Sequence, residues 1–201
     1  MNTLSNQEKI ERIEEKMKEI MDILDIPITP STKDTPKRIA KMYVNEVFKN
    51  INDPNIDTEL FSKIKTFPYG GNEQLVIVKD IPFYSMCEHH FMPFSGKVSI
   101  GYVTKDEVIG LSKLPRIVEY FSKKPQLQER LAFEIASCVN DMLHDCMVFV
   151  MIRDTVHTCV TARGIEKDCS TDTFYSIIGS EENQEKFKEY KAEFLQRIGG
   201  R

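Results

Sequence analysis

All four histidines in the chain lie within three residues of a cysteine, and two of these groupings have a spacing that could hold a metal ion. Cys87 and His90 form a Cys-x-x-His pair, and one residue separates His157 from Cys159. The Cys-x-x-His spacing lets both side chains reach one tetrahedral ion from a tight turn, and Cys159 is a candidate third ligand from a strand. Two thiolates and one imidazole leave a fourth position for water, as in catalytic zinc sites. The spacing therefore predicts a zinc centre that activates water.

Other arrangements of the same residues stay open at this point. Cys87 and Cys159 could be buried apolar thiols beside ordinary polar histidines. A closed structural zinc site, with Cys169 or His157 as the fourth ligand, also fits the spacing. A closed site would hold the fold together without activating water.

The segment around the third candidate ligand has the composition of a strand. If HTCVTARG is an uninterrupted strand, its alternate residues His157, Cys159, Thr161 and Arg163 share one face. At about 3.3 Å per residue, Arg163 would lie about 13 Å from Cys159. We expect such a pocket wall to suit a ligand with its reactive end at the metal and an anionic tail at the arginine.

Two further segments contain charged residues near predicted helix starts. Lys113 and Arg116 are three apart in GLSKLPRIVEYF, so they form either a phosphate site at a helix start or a solvated basic face. Glu129 begins a mostly apolar helix. An exposed carboxylate there is ordinary, whereas a buried one suits a guanidine-like edge such as that of guanine.

The elements that must position these residues begin with a helical N-terminal region. Ser5 and Glu8 form a capping-box pattern ahead of apolar residues at helical spacing. Pro27 and Pro30 end this helix, and a second helix follows from Asp34 or Thr35. Asn50 to Thr58 has a linker's composition, so residues 1–58 are predicted to be a helical region and linker.

Residues 59–201 are predicted to form an α+β domain. The segments with strand patterns are LVIVKDI, GKVSIGYV, MVFVMIRD, HTCVTARG and Thr173 to Ile178. Pro115 and Pro125 each stand where a helix can open, and Ser180 precedes a charged helix with Phe187, Tyr190, Phe194 and Leu195 as its buried side. We expect an antiparallel sheet with helices packed on one face.

Composition and charge narrow the range of functions. The chain has 27 Lys+Arg against 31 Asp+Glu, a formal net charge of -4, and therefore lacks the basic field of nonspecific nucleic-acid binders. Its longest apolar run, Met147 to Ile152, is far short of the ~20 residues that span a bilayer, and no export signal is visible. Five irregularly spaced cysteines favour reduced thiols, which predicts a cytoplasmic protein. The charge balance and the short apolar runs predict that it has no nucleic-acid or membrane partner.

Several segments together resemble one enzyme family. SMCEHHFMPFSGK, GLSKLPRIVEYFSKKPQLQERL and HTCVTARGI resemble the signature stretches of zinc-dependent GTP cyclohydrolase I, and DTPKRIAKMYVNEVF resembles that family's N-terminal motif. The resemblance runs in matching order from about Asp34 to about Gly179. It implies that residues 59–201 are a T-fold catalytic domain, and that the chain assembles into a toroidal homodecamer with active sites at subunit interfaces. The implied reaction converts GTP and water into 7,8-dihydroneopterin triphosphate and formate, the first step of tetrahydrofolate or pterin biosynthesis.

The resemblance also implies roles for the Cys/His cluster. By matching positions, Cys87, His90 and Cys159 would hold Zn²⁺, which separates His90 from its neighbour His89. His89 and His157 would be the acid/base residues near the purine. Imidazole suits this role because its pKa of ~6.5 lies close to working pH.

The remaining matches concern the substrate. Glu129 would anchor the pyrimidine edge of the purine, with Gln128 near the ribose, and Ser112 matches a serine implicated in the later ring rearrangement. The matches to the family's triphosphate-binding cations, some from a neighbouring subunit, are Arg38, Lys41, Lys113, Arg116 and Arg163.

Two other classes of protein are alternatives to this one. Another T-fold pterin or deazapurine enzyme would use histidine-only zinc ligation, or a catalytic cysteine with a nicotinamide cofactor. Neither fits a Cys-Glu-His-His segment combined with His-x-Cys. A catalytically silent, zinc-stabilised assembly module would retain zinc and leave GTP unchanged.

Overall fold

The chain divides into two units, Met1–Ile51 and Asn52–Arg201. The computed structural model describes residues 4–51, 65–144, 146–180 and 184–199. Most of the predicted linker, Asn50 to Thr58, lies outside these residues, and so does the predicted boundary at residue 58, which stays a prediction. No helix in the described ranges is both long enough and apolar enough to cross a membrane.

Helices and strands follow one another along the chain. The helices are α1 (Asn6–Ile23), α2 (Thr35–Met42), α3 (Leu114–Ser122), α4 (Gln128–Met142), α5 (Thr158–Thr161) and α6 (Gln184–Gly199). The strands are β1 (Thr66–Pro68), β2 (Leu75–Cys87), β3 (Pro93–Val103), β4 (Glu107–Ile109), β5 (Pro125–Gln126), β6 (Val148–His157) and β7 (Thr171–Ile177). A π-helical turn, Tyr43–Val47, continues α2, and a 3-10 turn, Leu111–Lys113, precedes α3.

In the first unit, α1 begins with the predicted capping box. The Glu8 amide donates to the Ser5 hydroxyl at 3.3 Å, and the Glu8 carboxylate accepts from the Ser5 amide at 2.8 Å. Ile10 of α1 is buried in one cluster with Ala40 of α2 and Val44 of the π turn. The first unit is therefore the helical pair that the N-terminal pattern predicts.

The second unit is built on a five-stranded sheet in the order β5-β2-β3-β6-β7. Neighbouring strands are antiparallel except β5, which pairs with β2 in parallel at Met86 and Cys87. Strands β1 and β4 form a separate antiparallel pair. This arrangement confirms the α+β prediction, and it brings the end of β2 next to the start of α4.

Helices α3 and α4 cover one face of the sheet. Every second residue of β3 faces these helices, as the sequence pattern predicts. The relative exposure of Val98, Ile100 and Tyr102 is at most 1%. Leu131 and Ile135 of α4 pack into the same cluster. Burying such side chains contributes about 1.5–3 kcal/mol each, so this layer anchors the first turn of α4 against the sheet.

The opposite face is partly covered by α6. Phe194 is buried against β3 and β6, and its ring stacks on Phe149 at 5.6 Å. Gly101 permits this contact, because a Cβ there would stand 2.6 Å from Phe194 Cδ2. Phe194 and Ile198 are the buried side of α6, whereas Leu195, predicted to be buried, is 36% exposed. Successive helix residues differ by about 100° in direction, so Leu195 faces away from the sheet.

The prediction that HTCVTARG is a strand of its own is wrong. One strand, β6, runs through His157, whose partner is Phe94 at the start of β3. Beyond His157 the strand has little left of β3 to pair with, and the Thr158 hydroxyl donates to the Pro93 carbonyl at 2.6 Å. The chain then closes a helical turn, in which the Ala162 amide donates to the Thr158 carbonyl at 2.9 Å.

Two other predicted boundaries also change, and one is confirmed. Pro125 belongs to β5 and does not open a helix, since α4 starts at Gln128. Pro115 does stand in the first turn of α3, as predicted. The last strand spans Thr171–Ile177, and α6 is described from Gln184, with residues 181–183 outside the described ranges.

Candidate active site

The first part of the site is the turn that follows β2. Cys87 is the last residue of that strand, and the Phe91 amide donates to the Cys87 carbonyl at 2.9 Å. The Cys87 amide in turn donates to the Met92 carbonyl at 2.9 Å. Phe91 has a φ of 50°, in the left-handed region that closes tight turns. The turn brings His90 Nδ1 to 3.8 Å from Cys87 Sγ.

Cys159 comes to this turn from the helical turn α5. The donor atoms of Cys87, His90 and Cys159 all lie within 4.8 Å of one another. Sulfur and nitrogen ligands around a tetrahedral metal ion are about 3.5–3.8 Å apart, so small side-chain movements would suffice to hold one. The three residues predicted from spacing and resemblance are therefore the three that the fold brings together.

The chemistry of the donor set also fits a metal ion. Burial raises the pKa of the Cys159 thiol above its ordinary value, and the neighbouring Cys87 thiol raises it further. Metal ions bind cysteine as the thiolate, so a metal bound here would displace the proton of the Cys159 thiol. Cys169 is exposed and is not a member of the three-residue group, and no cysteine forms a disulfide.

His157 precedes Cys159 by two residues and is held in place by a chain of hydrogen bonds. Its Nε2 is 2.9 Å from Gln128 Oε1, which also accepts from the Thr171 hydroxyl at 2.6 Å. Gln128 Nε2 donates to the Thr171 carbonyl at 3.3 Å, which identifies Oε1 as the amide's acceptor. The His157 ring stacks on Phe94 at 4.7 Å with an angle of 8° between the planes. Nε2 therefore carries the proton, and Nδ1 of the neutral ring is free to accept one.

The charge state of His157 follows from its surroundings. Burial lowers the pKa of His157 below its ordinary value, and the negative charge of Glu129 partly offsets this effect. Glu129 lies in the first turn of α4 and is exposed, which is the ordinary placement of a carboxylate and not the buried one that would suit a guanine edge. Its role toward a substrate stays a prediction. Thr171 is a residue that spacing did not reveal, because its partner Gln128 lies on a different element.

The turn also contains a charged pair that the sequence pattern does not show. Glu88, which lies between Cys87 and His90 in the turn, accepts a hydrogen bond from Arg130 Nη2 of α4. Its other carboxylate oxygen is 3.8 Å from Nε2 of His89, whose side chain is largely exposed. Glu88 and Arg130 are not at a motif spacing from each other, so only the fold brings them together.

The predicted cations occupy three places. Arg163 follows α5, is exposed, and its charge acts to lower the pKa of Cys159 against the effect of burial. The expected strand that would place His157, Cys159, Thr161 and Arg163 on one face does not exist, because α5 interrupts it. Arg163 is near enough to act on Cys159 because that helical turn, Thr158–Thr161, keeps the intervening chain compact.

The other residues predicted to act on the substrate, the remaining cations and Ser112, lie elsewhere along the chain. Ser112 and Lys113 belong to the 3-10 turn, and Arg116 lies exposed in the first turn of α3. Arg38 and Lys41 are exposed on α2 of the first unit. Their roles stay predictions, as does the role of Ser112.

Comparison with known proteins gives one consistent family. A sequence model of the family described as GTP cyclohydrolase I matches residues 13–198. A protein named GTP cyclohydrolase 1 from Streptococcus agalactiae serotype Ia is 53% identical over 138 residues, covering 67% of this chain and 69% of the relative. The protein of that name from Carboxydothermus hydrogenoformans is 45% identical over 149 residues, covering 73% of each chain.

A longer match, to a less similar relative, agrees with this result. The GTP cyclohydrolase 1 of Erwinia tasmaniensis is 41% identical over 170 residues, covering 84% of this chain and 72% of the relative. A solved structure of the archaeosine synthase QueF-Like in the apo form covers 50% of this chain and 91% of its own, at 19% identity and a TM-score of 0.39. The family assignment does not depend on that structure. Because the family match spans nearly the whole chain, the chain belongs to the GTP cyclohydrolase I family.

Proposed function

We propose that this protein converts GTP and water into 7,8-dihydroneopterin triphosphate and formate, using a zinc ion held by Cys87, His90 and Cys159. The observation that carries the proposal is the convergence of these three donors within 4.8 Å, from two distant segments of the chain. Family membership points to the same reaction. The other T-fold enzymes considered above would need histidine-only zinc ligands, or a catalytic cysteine with a nicotinamide cofactor, in place of this Cys-His-Cys set.

Zinc, when bound, would supply a Lewis acid that activates the water needed to hydrate carbon 8 of the purine. Cys87, His90 and Cys159 would hold the ion through three ligands, a number typical of zinc sites that also bind water. This chain's other residues must then place the purine, exclude competing water and move protons.

His157 is suited to proton transfer at the imidazole ring of the purine. The hydrogen bond from Nε2 to Gln128 Oε1 fixes the ring, and its low pKa keeps the ring neutral near pH 7. Nδ1 is then an acceptor at an oriented position, which is the geometry that general acid–base catalysis requires. His89, more exposed and at the edge of the turn, is the second proton carrier that we propose.

The substrate would be held at both of its ends. By its match to the family, the Glu129 carboxylate would accept hydrogen bonds from the pyrimidine edge of guanine, with Gln128 near the ribose. Ser112 would act in the later ring rearrangement. By their match to the family, the residues proposed to bind the triphosphate, some of them from a neighbouring subunit, are Arg38, Lys41, Lys113, Arg116 and Arg163.

We also propose a homodecameric assembly and a cytoplasmic location. Strand β7 has a hydrogen-bonded neighbour on one side only within the described part of the chain, so its other edge is available to a second subunit. The absence of a disulfide among the five cysteines supports a reducing compartment.

The test is to incubate the zinc-replete protein with GTP, measure formate and the fluorescent pterin obtained after oxidation, and repeat with a chelator. We expect formate and pterin in equal amounts, and the loss of both with the chelator. Retained zinc without any product would contradict the proposal and favour a zinc-stabilised assembly module.

A further inference from the structure

The Cys87–His90 turn is tied to α4 through Glu88 and Arg130. Arg130 Nη2 donates to Glu88 Oε2 and, at 3.0 Å, to the Pro125 carbonyl. Arg130 Nε donates to Gln126 Oε1 at 2.9 Å. A guanidinium with three acceptors from two segments has its orientation determined, since its donors are arranged in a rigid plane.

The acceptors of Arg130 are themselves held in place. Gln126 is 1% exposed, and its Nε2 donates to Glu134 Oε2 at 2.6 Å and to the Phe121 carbonyl at 2.9 Å. Lys124 Nζ lies 2.7 Å from the second Glu134 oxygen, Oε1. The buried amide of Gln126 therefore has both of its groups paired, and the flanking charges balance one another.

This network joins the two halves of the metal site. The Glu88 amide donates to the Gln126 carbonyl at 3.1 Å, which extends the β2–β5 pairing into the turn. In the first turn of α4, Gln128 holds His157 and Arg130 holds Glu88. One helical turn thus contacts the segment that supplies Cys87 and His90 and the segment that supplies Cys159.

We propose that Glu88 and Arg130 are positioning residues that set the placement of the Cys87–His90 turn relative to α4. Both side chains are partly exposed, so the pair contributes little to global stability, and its effect is on the local geometry of the ligands. The proposal rests on the proposed metal site and adds residues that do not contact the metal.

The experiment compares Arg130→Met, Arg130→Lys and Glu88→Gln with the parent protein. The measurements are the rate of metal loss to a chelator, the absorption spectrum of the cobalt-substituted protein, and kcat and KM for GTP. We expect Arg130→Met to lose metal about tenfold faster or more, because removing groups that orient metal ligands typically costs 10–100-fold. We also expect a changed cobalt spectrum and a kcat about tenfold lower, with KM changed about twofold at most.

Two comparisons separate positioning from general destabilisation. Arg197→Met removes an exposed i,i+4 ion pair with Glu193 on α6 and should leave metal loss and kcat unchanged. Arg130→Lys keeps the charge but provides a single point donor, so it should recover part of the loss. Glu88→Gln keeps the size of the side chain and carries the test if Arg130→Met does not fold.

The double variant Glu88→Gln with Arg130→Met tests whether the two residues act as one unit. If the two residues act as one unit, the double variant is no more impaired than Arg130→Met alone. Unchanged metal loss and an unchanged cobalt spectrum in Arg130→Met and in Glu88→Gln would overturn the proposal. The two metal measurements do not require turnover, so they also separate this proposal from a failure of the GTP reaction.

Discussion

At the scale of single residues, Cys159 is the proposed metal ligand that comes from the second of two distant segments of the chain. We expect Cys159→Ser to abolish zinc retention and formate release together, because a hydroxyl is a far poorer zinc ligand than a thiolate. The measurements are zinc per subunit after gel filtration and formate release from GTP.

Cys169 provides the matched control for this substitution. It is the exposed thiol closest to Cys159 in the sequence and is not in the three-residue group, so Cys169→Ser should retain zinc and activity. Full zinc and turnover in Cys159→Ser would contradict the ligand assignment. Loss of zinc in Cys169→Ser would instead support a closed site.

Thr171 acts on His157 through Gln128. Thr171→Val removes the hydroxyl that donates to Gln128 Oε1 at 2.6 Å and keeps the shape of the side chain. We expect kcat to fall about fivefold, since one hydrogen bond contributes about 1 kcal/mol, while zinc content stays unchanged. Steady-state kinetics with a parallel zinc assay measure both.

The same strand supplies a control for Thr171→Val. Thr173 lies two residues further along β7, opposite Ile152 of β6. Thr173→Val should leave kcat at the parental value. Equal losses in both variants would indicate a general effect on β7 and would argue against a role in orienting His157.

At the scale of elements, α6 packs on the sheet because β3 has a glycine beneath it. A methyl group at Gly101 would stand 2.6 Å from Phe194 Cδ2, and Phe194 is fully buried there. We expect Gly101→Ala to lower the free energy of unfolding by about 1–3 kcal/mol through overpacking, measured by chemical denaturation.

Gly70 is the matched control for this prediction. A Cβ at Gly70 would meet no atom within 4 Å, so Gly70→Ala should change the free energy of unfolding by less than about 0.5 kcal/mol. A neutral Gly101→Ala would mean that Phe194 moves aside at little cost, and that the α6 contact is looser than the packing indicates.

At the scale of the whole molecule, one chain leaves a strand edge available for assembly. Strand β7 pairs with β6 alone among the described strands, and open edges of this kind are commonly covered by another subunit. We expect sedimentation analysis to give a particle of ten 23.3 kDa chains. A monomer that turns over GTP would contradict both the decamer and the sharing of active sites between subunits.

Local sequence patterns by themselves determine a substantial part of this protein. The Ser5–Glu8 capping box, the alternation along β3 and the Cys-x-x-His turn each depend on residues a few positions apart. Contacts of that range are encoded by short-range geometry, so spacing alone identifies them. Resemblance over longer segments then selects His90 over His89 and points to the GTP cyclohydrolase I family.

Only the tertiary structure decided the features that depend on distant partners. HTCVTARG has the composition of a strand, yet it turns into α5 because β3 begins at Pro93 and offers no further pairing. The Glu88–Arg130 pair and the chain from Thr171 to His157 join separate elements, and no spacing rule connects them. Strand ends and long-range polar contacts are set by what the rest of the fold places opposite them, which the local sequence does not contain.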